Sequence, residues 1–458
     1  VIRLFQAICR FNFGNFESEE LKRFSRMGLI LAIIIGVHWS LVTLKDSIFI
    51  QLVGFQYLPY IKTLSVFSLL PLVALYTKLV NRFSRNRMMV ILPAFYGLMI
   101  LGFSGLVALA QTSKEQIASS AFLLVESFGC IWYIFVESFS SIVITHFWVF
   151  AADVTEAVEA KRGFPLVYAM GLMGGCVFPY AICSLPNRMR LQTDAISLVA
   201  LGVIIVLMIP LVICFLRVIP KSLIKTSEQK QKNDESSFFG DIKVVVKNRY
   251  LMGIFVIGFI YQVVITIFEF NFKIAAGTQY SGVMLSQYLS TFCSYVNIVS
   301  LICLLLGISN ISRFFGICTA LVAVPAIVGC AFFCFLSINN LSFLFALTVG
   351  AKAIHYTLND TVLKQLYIPI PSEERFKGQA WIDTFGLRIS QQFGSLFNMS
   401  LVPFQSTFGL VAGRSYYMLL SGCFVAPLIG LWMIVAVYLG RRSQIDFNAI
   451  CNKYTQRT

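Results

Sequence analysis

The chain has 458 residues, of which 58% are hydrophobic and only 12% charged, with a formal net charge of +15. An ordinary soluble domain carries about 25% charged residues, so this composition excludes a soluble globular protein and defines a polytopic membrane protein. The apolar stretches run for about 20 residues and do not alternate, which selects membrane helices over an outer-membrane barrel.

Residues 1–26 form a cytoplasmic N-terminal segment of mixed charge, without the apolar core and small-residue cleavage site of a secretory signal. Twelve apolar blocks follow, at about 27–50, 58–80, 88–110, 118–150, 163–184, 194–217, 250–271, 281–307, 313–336, 341–367, 379–403 and 415–439. The fourth is too long for one simple crossing, so it is expected to begin as an interfacial turn and to cross from Glu126 to Phe150.

One set of connections is basic, with Lys22, Arg23 and Arg26, then Lys78, Arg82, Arg85 and Arg87, then Lys161 and Arg162, and later Arg441 and Arg442. The other set is poor in charge, and only Arg188 and Arg190 dissent. This asymmetry places both termini in the cytoplasm and accounts for the positive net charge without a nucleic-acid partner. The longest polar connection, Ile219–Asn248, divides the blocks six and six. The expected architecture is all-α and major facilitator-type, with twelve transmembrane helices in two six-helix halves and the solute site near the midplane. The halves are 27–217 and 250–440, joined by a cytoplasmic linker, 218–249, and followed by a cytoplasmic tail, 441–458.

The twelve cysteines include no CxxC pair and lie almost wholly within apolar blocks, and His38, His146 and His355 are far apart. Neither pattern builds a metal site. No Walker lysine loop and no nucleophile–base cluster can be read, so the chain is not an enzyme, needs no cofactor and transports on gradients.

Charges at membrane depth cost about 2.5 kcal/mol or more, and they normally face a partner or a wet cavity. Lys45 lies 18 residues after Met27, about 27 Å along a helix, and shares a face with His38. A snorkelling lysine beside its own counter-ion, Asp46, is the bland alternative. The second block opens on Pro59, Tyr60, Ile61 and Lys62. In the fourth, Glu126 and Glu137 share a face near Trp132, Tyr133 and Trp148, whose rings could stack a heterocycle. Glu269 and Lys273 stand at i,i+4, the favourable order for a helical ion pair. In the tenth block Tyr356, Asp360 and Lys364 form one stripe, and Lys352, His355 and Asn359 a neighbouring one. The eleventh carries Asp383 and Arg388, five apart and so each in need of a partner on another segment or on a solute. Taken singly, each pair also reads as a structural ion pair. Together, Lys45, Lys62, Lys273 and Arg388 suit a polyanion, with Arg able to fork onto phosphate oxygens and Lys acting as a point charge.

Ordered motifs make the chain resemble the bacterial and plastid ATP/ADP translocase family. They are Leu44–Lys45–Asp46, the Pro59–Thr63 run, Tyr76–Leu79, Val136–Glu137–Ser138, Glu156–Arg162, Phe268–Lys273, and the tract from Lys352 through Tyr367 and Pro369 to Lys377–Asp383. The resemblance implies a nucleotide carrier of a bacterial inner membrane, the plastid envelope being the other setting. It would work by alternating access as an exchanger, with the nucleotide and the bilayer as partners and as a monomer. It also implies substrate-binding roles for positions matching Lys45, Glu137, Glu269 and Arg388, to which the residue reading adds Lys273, Lys62 and Asp383. The family often has Lys where this chain has Arg388, and its ATP/ADP exchangers commonly have arginine where this chain has Val42. The alternatives are a proton-coupled nucleotide symporter, a carrier of NAD or another nucleotide, and a general organic-phosphate facilitator.

Overall fold

In a computed structural model, the structure describes residues 18–83, 85–113, 119–155, 157–218, 245–306, 315–338, 340–367 and 381–455, with Ile370, Glu374, Gly378 and Gln379. The helices are α1 (Ser18–Leu52), α2 (Leu58–Arg82), α3 (Arg85–Ser113), α4 (Ser119–Asp153), α5 (Ala157–Cys183), α6 (Ala195–Val218), α7 (Arg249–Gln279), α8 (Gly282–Leu305), α9 (Ile317–Ser337) and α10 (Leu341–Ile354). The last blocks break into α11 (Asp360–Leu366), α12 (Leu387–Asn398), α13 (Leu401–Phe408) and α14 (Leu410–Thr455). Among the described residues ten helices are long and apolar enough to cross a membrane. The second and eleventh blocks are helical as well, as α2 and as the broken α12–α13 segment.

Local chemistry sets several boundaries. Glu19 and Glu20 lie in the first turn of α1, where the helix dipole favours acids. Pro59 opens α2, where its missing N–H costs nothing. Asn340 caps α10 by accepting a hydrogen bond from the Phe343 amide at 3.2 Å. Gly409, at φ +82°, makes the left-handed turn that separates α13 from α14.

One expectation is corrected. Among the described residues α4 is one continuous helix of 35 residues, without an interfacial turn ahead of Glu126; its apolar run simply extends past the thickness of a hydrocarbon core, which a tilted helix accommodates. α14 continues to Thr455, so the segment read as the tail is helical as far as that residue.

Two π-helical segments interrupt the pattern, at His355–Asn359 after α10 and at Ile382–Gly386 before α12. Such insertions widen one turn and frequently mark functional positions.

By contacts the chain divides into two compact units, Val1–Asp234 with Ala276–Leu301, and Glu235–Ala275 with Ile302–Thr458. In the first, α1 packs most extensively on α5. Gly28, Ala32 and Gly36 repeat every fourth residue on α1, and a Cβ on Gly174 would collide with the Ala32 carbonyl. Gly28 meets Met170 and Gly36 meets Phe178, so the register runs the same way on both helices and α1 and α5 are parallel. Close backbone approach of this kind is the usual way for membrane helices to associate, because lipid supplies no hydrophobic drive between them. Gly174→Leu is therefore expected to lower the thermal unfolding midpoint in detergent and the folded yield, by about 3 kcal/mol or more. A midpoint equal to that of the unsubstituted protein would show that the seam does not hold the unit.

In the second unit the rings of Phe332 and Phe335 stand edge-on to Phe268. The Tyr417 hydroxyl donates to Asn398 Oδ1 at 2.7 Å, tying α14 to α12.

Candidate functional site

α4 collects the polar contacts of the first unit. The Tyr96 hydroxyl of α3 pairs with Ser138 Oγ at 2.9 Å. Tyr76 of α2 pairs with His146 Nδ1 at 2.9 Å, and His38 Nδ1 of α1 pairs with Ser140 Oγ at 2.9 Å. The fourth contact is an ion pair in which the Lys45 ammonium donates to Glu137 Oε1. His38 and Lys45 thus share a face of α1, as their spacing predicts, and both turn to α4. The register rises along α1 and falls along α4, so the two helices are antiparallel.

Lys45 is 4% exposed. Asp46 Oδ1 lies 3.8 Å from its ammonium, and the Tyr133 ring lies beneath it, 4.2 Å from nitrogen to centroid. A desolvated cation gains from a carboxylate and an aromatic face together. Lys62 of α2 is half-buried, and its charge reaches Glu137. The structure therefore gathers Lys45, Asp46, Glu137 and Lys62 into one cluster. Trp132, expected to offer a stacking face, is fully buried against Phe103, a core residue rather than a platform. Trp148 packs edge-on against Phe164.

In the second unit, Glu269 of α7 takes Lys352 of α10 as its partner, with Nζ to Oε1 at 2.5 Å. Lys273, the i,i+4 neighbour of Glu269, sits half-buried one turn further along α7. Beside the pair, the His355 ring lies flat on Tyr261, centroids 3.6 Å apart and planes 12° apart. Its Nδ1 meets Asn359 Nδ2 at 3.1 Å. This stack occupies the first π segment. Arg388, half-buried, opens α12 just after the second π segment, which carries the exposed Asp383. The Asp360 side chain lies outside the described residues.

The two units repeat one device with the signs exchanged. In the first, α1 supplies Lys45 and α4 supplies Glu137. In the second, α7 supplies Glu269 and α10 supplies Lys352. A neighbouring histidine contact, to Ser140 in one case and to Tyr261 in the other, accompanies each pair. In both pairs the lysine side chain is the less exposed member, 5% against 27% in the first and 11% against 18% in the second. A cation sheltered by a better-hydrated acid can exchange that acid for an incoming anion at little desolvation cost.

Lys352 is the residue that the site list drawn from sequence omits. The signal was present, a lysine at membrane depth three residues before His355, but its partner lies 83 residues away in sequence on another helix. A cavity of about 460 Å³ among α2, α3 and α4 is lined by residues such as Leu72, Phe95, Ile131 and Phe135, with no charged group in its lining. It offers nothing to hold a phosphate.

The described residues form a bundle of membrane helices with two buried ion pairs, and comparison with solved structures shows a fold shared with transporters. The fold is similar to that of a bacterial homologue of the iron transporter ferroportin (TM-score 0.59, 11% identity, covering 92% of this chain and 99% of the other). It is equally similar to the nucleoside transporter NupG (TM-score 0.58, 14% identity, 91% and 100% covered). These are major facilitator-type transporters. The chain belongs to the TLC ATP/ADP transporter family, whose sequence model matches residues 5–442. Among curated relatives, ADP,ATP carrier protein 4 of Rickettsia felis is 24% identical over 442 residues, covering 84% of this chain and 85% of the relative. Its counterpart in Rickettsia conorii is 23% identical over 489 residues, covering 94% of each. The chain is thus a multi-pass membrane carrier and not an enzyme.

Proposed function

We propose that this chain carries nucleotides across a bacterial inner membrane by alternating access, exchanging one nucleotide for another, with both termini in the cytoplasm. The observation that carries the reading is the pair of sign-exchanged lysine–glutamate bridges, Lys45–Glu137 and Glu269–Lys352, in a member of an ATP/ADP transporter family. The phosphates of the substrate replace Glu137 on Lys45 and Glu269 on Lys352. Arg388 forks onto phosphate oxygens, and Lys273 adds a point charge. When the substrate leaves, the acids return and keep the lysines compensated, so the empty carrier never buries an unpaired charge. Asp383, exposed beside the second π segment, serves as the acid that Arg388 meets as the carrier changes state. The carrier functions as a monomer.

Val42, in the place where ATP/ADP exchangers of the family commonly have arginine, favours a second substrate range: other ribonucleotides, or a dinucleotide such as NAD. Counterflow in proteoliposomes preloaded with ATP, ADP, GTP, UTP or NAD tests both readings. Labelled nucleotide is expected to accumulate only against an internal nucleotide. Uptake competed by simple organic phosphates and indifferent to the base would overturn the nucleotide reading.

Lys62 is taken as a second-line contact beside Glu137, so Lys62→Ala is expected to raise the apparent Kd about tenfold or less, one weakened charge interaction. Tracer binding to the purified protein measures it. A loss as large as that expected for Lys45 would make Lys62 a direct ligand.

A further inference from the structure

Every buried acid of the charged clusters above has a lysine beside it; Asp194, just ahead of α6, does not. It is 0% exposed. Its Oδ2 accepts from Gln111 Nε2 at 3.0 Å and from Gln51 Nε2 at 3.4 Å, and its amide donates to Gln111 Oε1 at 2.8 Å. Its Oδ1 has no hydrogen-bond partner. The cluster continues through neutral groups. Gln111 Nε2 donates to Gln51 Oε1 at 2.7 Å, Gln51 Nε2 donates to Ser47 Oγ at 3.0 Å, and the Ser47 and Ser286 hydroxyls are 2.6 Å apart. Ser286 belongs to α8 and faces the same carboxyl group.

The charged and titratable groups around it supply no counter-ion. On α1 the nearest are Asp46 and Lys45, already engaged with each other and with Glu137. α3 brings Gln111, with Lys114 and Glu115 beyond it outside the described residues. α6 carries no charge before Arg217, and α8 carries none, its titratable side chains being Tyr288, Cys293, Tyr295 and Cys303. Cys183 of α5 lies within range of a charge on Asp194. On the connection between α5 and α6, Arg188 and Arg190 are exposed, with the Arg188 guanidinium over the Tyr180 ring. Among the described residues Asp194 makes no ion pair. Burial without a counter-ion disfavours the charged carboxylate, and the Gln111 and Gln51 amides on Oδ2 compensate it only in part.

Within the first unit, hydrogen bonds fasten α8 to its neighbours at this level. Asn187 Nδ2 donates to Gln287 Oε1 at 2.8 Å, and the Tyr180 amide donates to Ser294 Oγ at 3.1 Å. We propose that Asp194 is a proton-binding site: it holds a proton on Oδ1 while α8 is docked against Gln51, Gln111 and Ser47, and releases it to water when that helix withdraws. The step breaks the carboxylic O–H bond and leaves the carboxylate to be hydrated, with no other reactant. A proton on Oδ1 removes the charge from this buried carboxyl group and turns an orphaned acceptor into a donor. The docked state binds the extra proton, so acid favours docking, and that preference fades as pH rises from the exposed-carboxylate value to the raised, docked one. A carrier whose helix docking takes up a proton couples transport to a proton gradient; this last step rests on the carrier reading, the proton site does not.

Two measurements separate the claims. Infrared spectra of the full chain in lipid at pH 7 are expected to show a protonated-acid carbonyl band that Asp194→Asn removes and Asp194→Glu restores in shifted form. A spectrum at pH 7 in which Asp194→Asn removes nothing overturns the proton site. In proteoliposomes, an imposed inward proton gradient is expected to raise nucleotide accumulation, up to about tenfold per pH unit for one proton. Asp194→Asn is expected to abolish that response while keeping counterflow. A gradient response that survives in Asp194→Asn, or that is missing in the unsubstituted protein, overturns the coupling. If the unsubstituted protein moves no nucleotide at all, the proposed function fails, and the infrared result still decides the proton site.

Discussion

Lys45→Ala is expected to lower nucleotide uptake into proteoliposomes about a hundredfold while the protein still folds. The loss corresponds to about 3 kcal/mol, the worth of one charge-assisted hydrogen bond to phosphate in a desolvated setting. Folding survives because the orphaned partner is Glu137, whose side chain is 27% exposed and can hydrate in place. The reciprocal exchange Lys45→Glu with Glu137→Lys preserves the bridge and is expected to restore the thermal midpoint but not uptake, since the acid now stands where the phosphate must bind. Uptake at the level of the unsubstituted protein in Lys45→Ala would remove this lysine from the site.

The second large effect is expected at Lys352→Met. Here too uptake falls about a hundredfold, and the stability cost is greater than for Lys45→Ala. Glu269 is left with a side chain only 18% exposed, and breaking a buried pair from one side costs about 3–5 kcal/mol. Adding Glu269→Gln removes the stranded charge, so the double variant is expected to recover most of the lost thermal midpoint while remaining inactive. A double-mutant cycle on thermal unfolding, with Lys352→Met and Glu269→Gln as its single variants, measures the bridge itself. If the two effects simply add, Glu269 and Lys352 do not form the bridge seen here.

The helices were readable from hydropathy because lipid leaves the chain few choices: each apolar block must satisfy its own backbone. The face shared by His38 and Lys45 followed from spacing alone, because a helix repeats on a fixed period. The partners did not. Glu137 meets a lysine 92 residues away, and Glu269 meets one on α10. A spacing rule sees only neighbours on one helix, such as Lys273 beside Glu269, so it left Lys352 in a stripe without a role. Trp132 was read as a platform because an aromatic ring between two glutamates looks alike in sequence whether it faces water or core. Asp194 sat unremarked beside Arg188 and Arg190, which look like natural counter-ions along the chain yet lie exposed in the structure. The π segments were equally silent, since one extra residue in a turn leaves apolar periodicity nearly unchanged.

In each bridge the acid is the more exposed member and the lysine the more sheltered one. On the proposed carrier reading, an anion that displaces the acid must offset the ion pair it breaks. A singly charged chloride does so poorly, whereas a polyphosphate brings several charges and several acceptor oxygens at once. Chloride in excess is therefore expected to leave nucleotide uptake unchanged.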